Sequence, residues 1–130
     1  MEIIIKTEKK KQVKDITGQI NEYLIKQNFK TGLCHLFLKH TTAALSCADL
    51  DPGTDLDYLD AFAALVPKLQ FRHPHNPAHV PDHIMSAIIG VAVTLPVENG
   101  ELNLGTWQRL VLIELDGPRE REIVVNLQKI

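Results

Sequence analysis

At 130 residues the chain is long enough for one domain whose core needs neither disulfides nor a structural metal. Its 14 basic and 16 acidic residues leave a formal net charge of -2, which speaks against an electrostatic binder of nucleic acid or of a membrane surface. No apolar run is long enough to span a bilayer, nothing at the N-terminus reads as a signal peptide, and Cys34 and Cys47 lack metal-ligand spacing, so a reducing cytoplasm is the expected home.

In chain order, Glu2 to Lys6 reads as a β-branched strand, Glu8 to Lys10 as a charged turn, and Lys11 to Lys14 as the return strand of a hairpin. A helix follows, capped by Asp15 or Thr17, with Ile16, Ile20, Tyr23 and Leu24 on one face and Asn28 as a left-handed stop. Leu33 to His40 alternates as a strand does, setting Cys34, Leu36, Leu38 and His40 on one face and His35, Phe37 and Lys39 on the other. Thr41 to Ser46 carries on extended. The turn Asp51-Pro52-Gly53-Thr54 then leads into a helix with Leu56, Leu59 and Ala63 as its buried stripe, Asp55 and Asp57 at its positive end, and Pro67 closing it. Because proline suits the first position of a helix and not its interior, the next helix runs from Pro81 to Ile89, with Gly90 as its stop. The last third is strand: Val91 to Val97, an Asn99-Gly100 hairpin turn, a return over Glu101 to Leu104, a long strand from Thr106 to Asp116, a turn, and a final strand from Arg119 to Leu127.

The conspicuous stretch is Phe71 to Gly90, which holds four of the six histidines, His73, His75, His79 and His83. Imidazole ligates metals when neutral and transfers protons near neutral pH, so a cluster of this kind points to a metal or acid–base site. His83 falls in the first turn of its helix, where the macrodipole disfavours the imidazolium and keeps the ring available as ligand or base. His75 and His79, among Pro and Asn, read as solvated loop. His40 ends a strand on its more apolar face and needs a partner there, whereas His35 shares the solvated face with Lys39. Asp49 sits in a loop just after a strand, where functional carboxylates concentrate and ordinary solvated ones are equally common. Arg119 and Arg121 suit an anion, although Glu114, Glu120 and Glu122 offer them cross-strand ion pairs.

Taken together, Asp15-Ile16-Thr17, Gly32-Leu33-Cys34, His40-Thr41-Thr42-Ala43-Ala44-Leu45, Phe71-Arg72-His73, His83 through Gly90, Leu104-Gly105-Thr106-Trp107-Gln108 and Glu114-Leu115-Asp116-Gly117-Pro118-Arg119 occur in an order and spacing that resemble the YjbQ family, also called the secondary thiamine-phosphate synthase family. The resemblance spans nearly the whole chain. It implies one YjbQ-like domain over 1–130, an α+β fold of antiparallel sheets packed with two to three helices, assembly as a homotrimer, and a shared site at His40, His73 and His83. Where many members carry Asn-Glu-Asn, this chain has Ala48-Asp49-Leu50, which keeps an acid and loses both amides.

Two functional expectations follow from the resemblance. In the first, the protein is an enzyme acting on a phosphorylated small molecule, with thiamine-phosphate synthase-like transfer or metal-dependent hydrolysis as the candidate reactions. His40, His73 and His83 hold a divalent metal, zinc first, His83 and Asp49 serve as catalytic groups, and Arg119 anchors the anion. The chain has no Gly-rich phosphate loop and no paired-carboxylate magnesium motif, so phosphate contacts fall to Arg119, Lys39 or backbone amides at helix starts. In the second, it is a non-catalytic homotrimeric binding or scaffold protein with structural histidines.

Overall fold

The computed structural model describes all of residues 1–130. Its elements are β1 (Glu2–Lys6), β2 (Gln12–Asp15), α1 (Thr17–Lys26), β3 (Gly32–Leu38), β4 (Ala43–Ala48), α2 (Thr54–Leu65), a 3-10 turn (Pro77–His79), α3 (Val80–Ile89), β5 (Ala92–Glu98), β6 (Glu101–Leu102), β7 (Arg109–Glu114) and β8 (Glu120–Lys129). Five strands form an antiparallel sheet in the order β1-β8-β3-β5-β6, and three form a second in the order β2-β7-β4. This is the α+β fold expected.

Strand β7 explains the layering. Its residues alternate as the sequence suggests, but Leu110 through Leu115 are all buried. Leu110 and Leu112 enter a core shared with Ile5, Ile16, Ile20, Leu24, Leu36 and Ile123, between the two sheets and α1. Val111, Ile113 and Leu115 enter a second core with Val13, Ala44 and Met85, roofed by Tyr58, Leu59 and Phe62 of α2. The smaller sheet is therefore a middle layer. Each fully buried aliphatic side chain contributes about 1.5–3 kcal/mol, which makes β7 the densest source of stability in the chain.

Three expectations change. Strands β1 and β2 do not form a hairpin: Ile5 pairs opposite Arg121 and Val13 opposite Ile113, in different sheets. Ile5 faces the first core and Val13 the second, and no single hairpin face serves both. On α2 the packed stripe is Tyr58, Leu59, Phe62 and Val66, while Leu56 stays 59% exposed, so the helix is turned by one position from the Leu56, Leu59, Ala63 reading. The long strand from Thr106 starts only at Arg109, because Gln108 turns back on Gly105 through both its backbone N–H and its side-chain oxygen. The Asn28 stop, the Asn99-Gly100 turn and the Gly90 helix end all adopt positive φ as expected.

Candidate functional site

Because β1 and β2, β3 and β4, and β7 and β8 each lie in different sheets, the chain crosses between sheets at 7–11, 39–42 and 115–119. Those three crossings meet at one end of the molecule: Leu115 N–H donates to Thr42 C=O, and Gly117 N–H to Lys10 C=O. A side chain at position 117 would not fit, since a Cβ there would lie 2.5 Å from the Lys9 carbonyl oxygen.

A buried ion pair clasps the crossings together. Arg121 and Glu114 are 1% and 0% exposed. Arg121 donates from Nε and Nη2 to the Glu114 carboxylate, and from Nη2 to Thr42 C=O at 3.0 Å and Thr42 Oγ1 at 2.9 Å. Glu114 also accepts from Thr7 Oγ1 at 2.6 Å and Asp116 N–H at 3.1 Å. Burial alone would raise the Glu114 pKa, but the hydrogen bonds from Arg121, Thr7 and the Asp116 amide outweigh it and hold the carboxyl below its ordinary range. Asp116 is likewise lowered, chiefly by its bond to Lys10, and it orients Arg119, whose Nε donates to Asp116 C=O at 2.7 Å and whose Nη2 donates to Oδ2 at 3.1 Å.

Around this clasp the histidines gather, and their partners fix which nitrogen carries the proton. His40 Nε2 accepts from Glu122 N–H at 2.8 Å, so in the neutral ring the proton sits on Nδ1. Burial first, then the positive charge of Arg121, push the His40 pKa down, which keeps that ring neutral. His73 Nδ1 accepts from the amides of His75 and Asn76 at 3.3 and 3.1 Å, which places its proton on Nε2. His83 is the reverse. Its Nδ1 donates to Thr41 C=O at 2.9 Å and leaves the Nε2 lone pair free. The His73 and His83 rings stack with centroids 5.3 Å apart and planes 12° apart. The set therefore offers one lone pair and two N–H donors. A tetrahedral zinc centre asks three lone pairs of it. No group of three or more His, Cys, Asp or Glu side chains is placed to hold a metal ion.

These rings stand between two cavities. One, of about 890 Å³, has Phe37, Leu38, Val80, Ala87 and Val91 as its apolar wall and includes His73 and Arg72. The other, of about 390 Å³, has no apolar residue and is built from Lys39, Thr42, His79, Asp116, Arg119 and Arg121 with the shared residues. His40, Thr41, His83 and Lys39 line both. Three permanent cations face one carboxylate in the polar cavity, although Lys39 is bonded to Glu2 at 2.8 Å and Arg121 is neutralised by Glu114. Arg119, paired with Asp116, is half-exposed and keeps N–H groups beyond its two bonds to that residue.

Of the residues singled out in the sequence, His40, His73 and His83 do come to one place, with Arg119 beside two of them. Asp49 does not. It follows the far end of β4, roughly 20 Å along the strand from Thr42 at about 3.3 Å per residue, and lines neither cavity. Its backbone carbonyl accepts from the Tyr58 hydroxyl, and its side chain faces the turn into α2. His35 is tied on the outer sheet face to Thr94 and Gln128. His79, read as solvated loop, lines the polar cavity, 3.9 Å from Asp116 Oδ2. Asp116 also went unmarked in the sequence. The signal lay in its spacing from Arg119, which reads as a turn until the crossing is seen.

The family model described as UPF0047 protein YjbQ-like matches residues 1–130. Among relatives, a UPF0047 protein of Archaeoglobus fulgidus is 35% identical over 97% of this chain and 98% of its own length, and UPF0047 protein YugU of Bacillus subtilis is 32% identical over 95% and 94%. Among solved structures, hypothetical protein APE1520 from Aeropyrum pernix K1 superposes with a TM-score of 0.90 at 33% identity, covering 100% of this chain and 98% of that one. A YbjQ-like protein of unknown function from Sulfolobus solfataricus P2 gives 0.89 at 31% identity, covering 100% and 96%.

Proposed function

The chain belongs to the YjbQ-like UPF0047 family, and from that premise we propose that it is an enzyme acting by histidine acid–base catalysis on a small molecule whose phosphate or similar anionic group sits against Arg119. The observation that carries this reading is that two rings protonated at the same nitrogen, Nδ1, leave different nitrogens free of the backbone. His83 offers a free Nε2 lone pair while His40 offers Nδ1–H, and both line the same two cavities. The lone pair suits proton removal, the His83 imidazolium so formed returns the proton, and the neutral His40 N–H gives a hydrogen bond to charge that develops in between. His83 serves as base, with its tautomer set by Thr41 C=O. His40 stays neutral and serves as a hydrogen-bond donor through Nδ1–H. Arg119, oriented by Asp116, meets the anion, and Thr41 contributes the wall between the cavities. The arrangement suits hydrolysis or transfer at a phosphorylated centre, including the thiamine-phosphate synthase-like transfer that the family resemblance implies.

Zinc enters this reading only as a question for the test. Ligation by all three imidazoles would require His40 and His73 to give up their backbone amide donors, so no step is assigned to it. Assembly as a homotrimer is part of the proposal: Phe37 is 49% and Ile4 54% exposed on the outer face of the larger sheet, which no other layer covers, and Phe37 also walls the apolar cavity.

The deciding experiment is a screen of untagged protein against phosphorylated metabolites, with metal content measured on the same sample and His83→Ala as control. Turnover lost in His83→Ala with the fold intact supports the reading. If no substrate turns over and His83→Ala changes only stability, the protein is the non-catalytic binding module instead.

A further inference from the structure

Arg119 can meet an anion only if Asp116 leaves its N–H groups free, and a residue outside both cavities bears on that. The Asp116 side chain is 7% exposed, and its carboxylate has two hydrogen-bond partners. Oδ1 accepts from Lys10 Nζ, and Oδ2 accepts from Arg119 Nη2. His79 Nε2 stands 3.9 Å from Oδ2, beyond hydrogen-bond range, and accepts from the Asn76 side-chain amide instead. Lys10 comes from the 7–11 crossing and lines neither cavity beside the histidines; it borders a separate cleft between α2 and α3. It therefore reaches Arg119 only through Asp116.

A guanidinium and a carboxylate commonly pair fork to fork, two N–H groups on two oxygens. Here Lys10 already occupies one of the oxygens. Arg119 uses two of its five N–H groups on Asp116, Nε–H on the carbonyl and one Nη2–H on Oδ2, and the other three stay available. We propose that Lys10 is a positioning residue for the anion site: by holding Asp116 Oδ1 it confines Arg119 to a single carboxylate oxygen and leaves the remaining guanidinium N–H groups to the anion. Without Lys10 a carboxylate oxygen in a buried side chain has no donor, and the donor already beside it is Arg119. The guanidinium then closes on Asp116 as a fork and gives up an N–H that the anion would take. The proposal rests on the reading that Arg119 holds an anion, and adds the residue that sets how much of Arg119 the anion can reach.

Calorimetry with inorganic phosphate on the untagged full chain and four variants tests this. Arg119→Gln weakens phosphate binding and checks the anion reading itself. Lys10→Met weakens it about tenfold, which corresponds to the loss of one charge-assisted hydrogen bond. The Lys10 side chain is 63% exposed, so its replacement leaves the core intact. Lys10→Arg returns a donor to Oδ1 and recovers most of the affinity. Lys9→Gln, at the exposed neighbour in the same crossing, removes an equal charge while Asp116 keeps its donor, and leaves the affinity close to that of the native chain. Unchanged binding in Lys10→Met, a loss that Lys10→Arg does not recover, or an equal loss in Lys9→Gln overturns the positioning role while leaving the anion site standing. If the native chain binds no phosphate, or Arg119→Gln leaves binding unchanged, the anion site and the positioning role fall together.

Discussion

Replacing Arg121 by Met tests the reasoning about the sheet crossings directly. The substitution keeps most of the side-chain volume and leaves the Glu114 carboxylate, 0% exposed, without its guanidinium. Removing one partner of a buried pair costs about 3–5 kcal/mol. Thr42 loses donors at both its carbonyl and its hydroxyl in the same step, so the upper part of that range is expected. For a chain of this size about 4 kcal/mol lowers the melting temperature by about 12–16 °C. The pH dependence carries a sign. In the native protein the Glu114 carboxyl is held below its unfolded value, so its contribution is present above the unfolded pKa and is lost as pH falls through the folded one. In Arg121→Met the same carboxyl is buried without a cation and its pKa rises. The deficit therefore shrinks as pH is lowered from 7 toward 5, where Glu114 takes up a proton. Urea denaturation of both proteins at several pH values measures this. The double variant Glu114→Leu with Arg121→Met recovers about half or more of the loss, since it removes the orphaned charge but leaves Thr7 and the Asp116 amide without their acceptor. A single-variant deficit under about 1 kcal/mol, or one that does not change with pH, refutes the clasp.

Other outcomes follow from the same geometry. His83→Ala changes stability by no more than about 1 kcal/mol, because the ring is half-exposed and makes one hydrogen bond, yet it abolishes any turnover found in the metabolite screen. Ser86→Ala removes the 2.6 Å bond from a buried hydroxyl to Ala43 C=O and costs about 1–2 kcal/mol in chemical denaturation, loosening α3 from β4. Asp49→Asn leaves substrate binding and turnover unchanged, since the residue lines neither cavity; a loss of turnover with stability intact would mean that the site draws on Asp49 from a second copy of the chain. In nitrogen-15 spectra of the neutral imidazoles, His40 and His83 both report protonation at Nδ1, and a spectrum with either proton on Nε2 removes the acid–base assignment.

The fold was legible in proportion to how local its causes are. Asn28, Gly90 and Asn99-Gly100 were read correctly because positive φ is a property of single residues and their immediate neighbours. The parity of β3 was also read correctly, since alternation belongs to the strand itself. What lies on each face is a tertiary fact. Val111, Ile113 and Leu115 look like the buried side of a half-solvated strand, and nothing local says that Leu110 and Leu112 are covered as completely by a second core. The missed hairpin has the same origin: two short strands with a polar turn between them satisfy every local rule for pairing, and only the competing partners β8 and β7 decide otherwise.

The site shows the other side of that limit. His40 and His83 were legible as candidates because an imidazole at the end of an apolar element asks for a reason, and His73 through the family resemblance, but their chemistry was not, because it depends on which nitrogen each backbone partner occupies. The Glu122 amide settles His40, the His75 and Asn76 amides settle His73, and the Thr41 carbonyl settles His83. One free acceptor and two free donors cannot be read from three identical letters. Arg119 was named as an anion anchor, but its partner Asp116 was hidden for a related reason: their turn joins two strands of different sheets, so its residues face the His40–Thr42 crossing. Any chain in which successive strands alternate between sheets will collect its crossings at the ends of the sandwich. There the backbone leaves regular pairing and its amides and carbonyls are free to orient side chains. In this molecule that end is where a lone pair, a fixed donor and a guanidinium oriented by Asp116 come together.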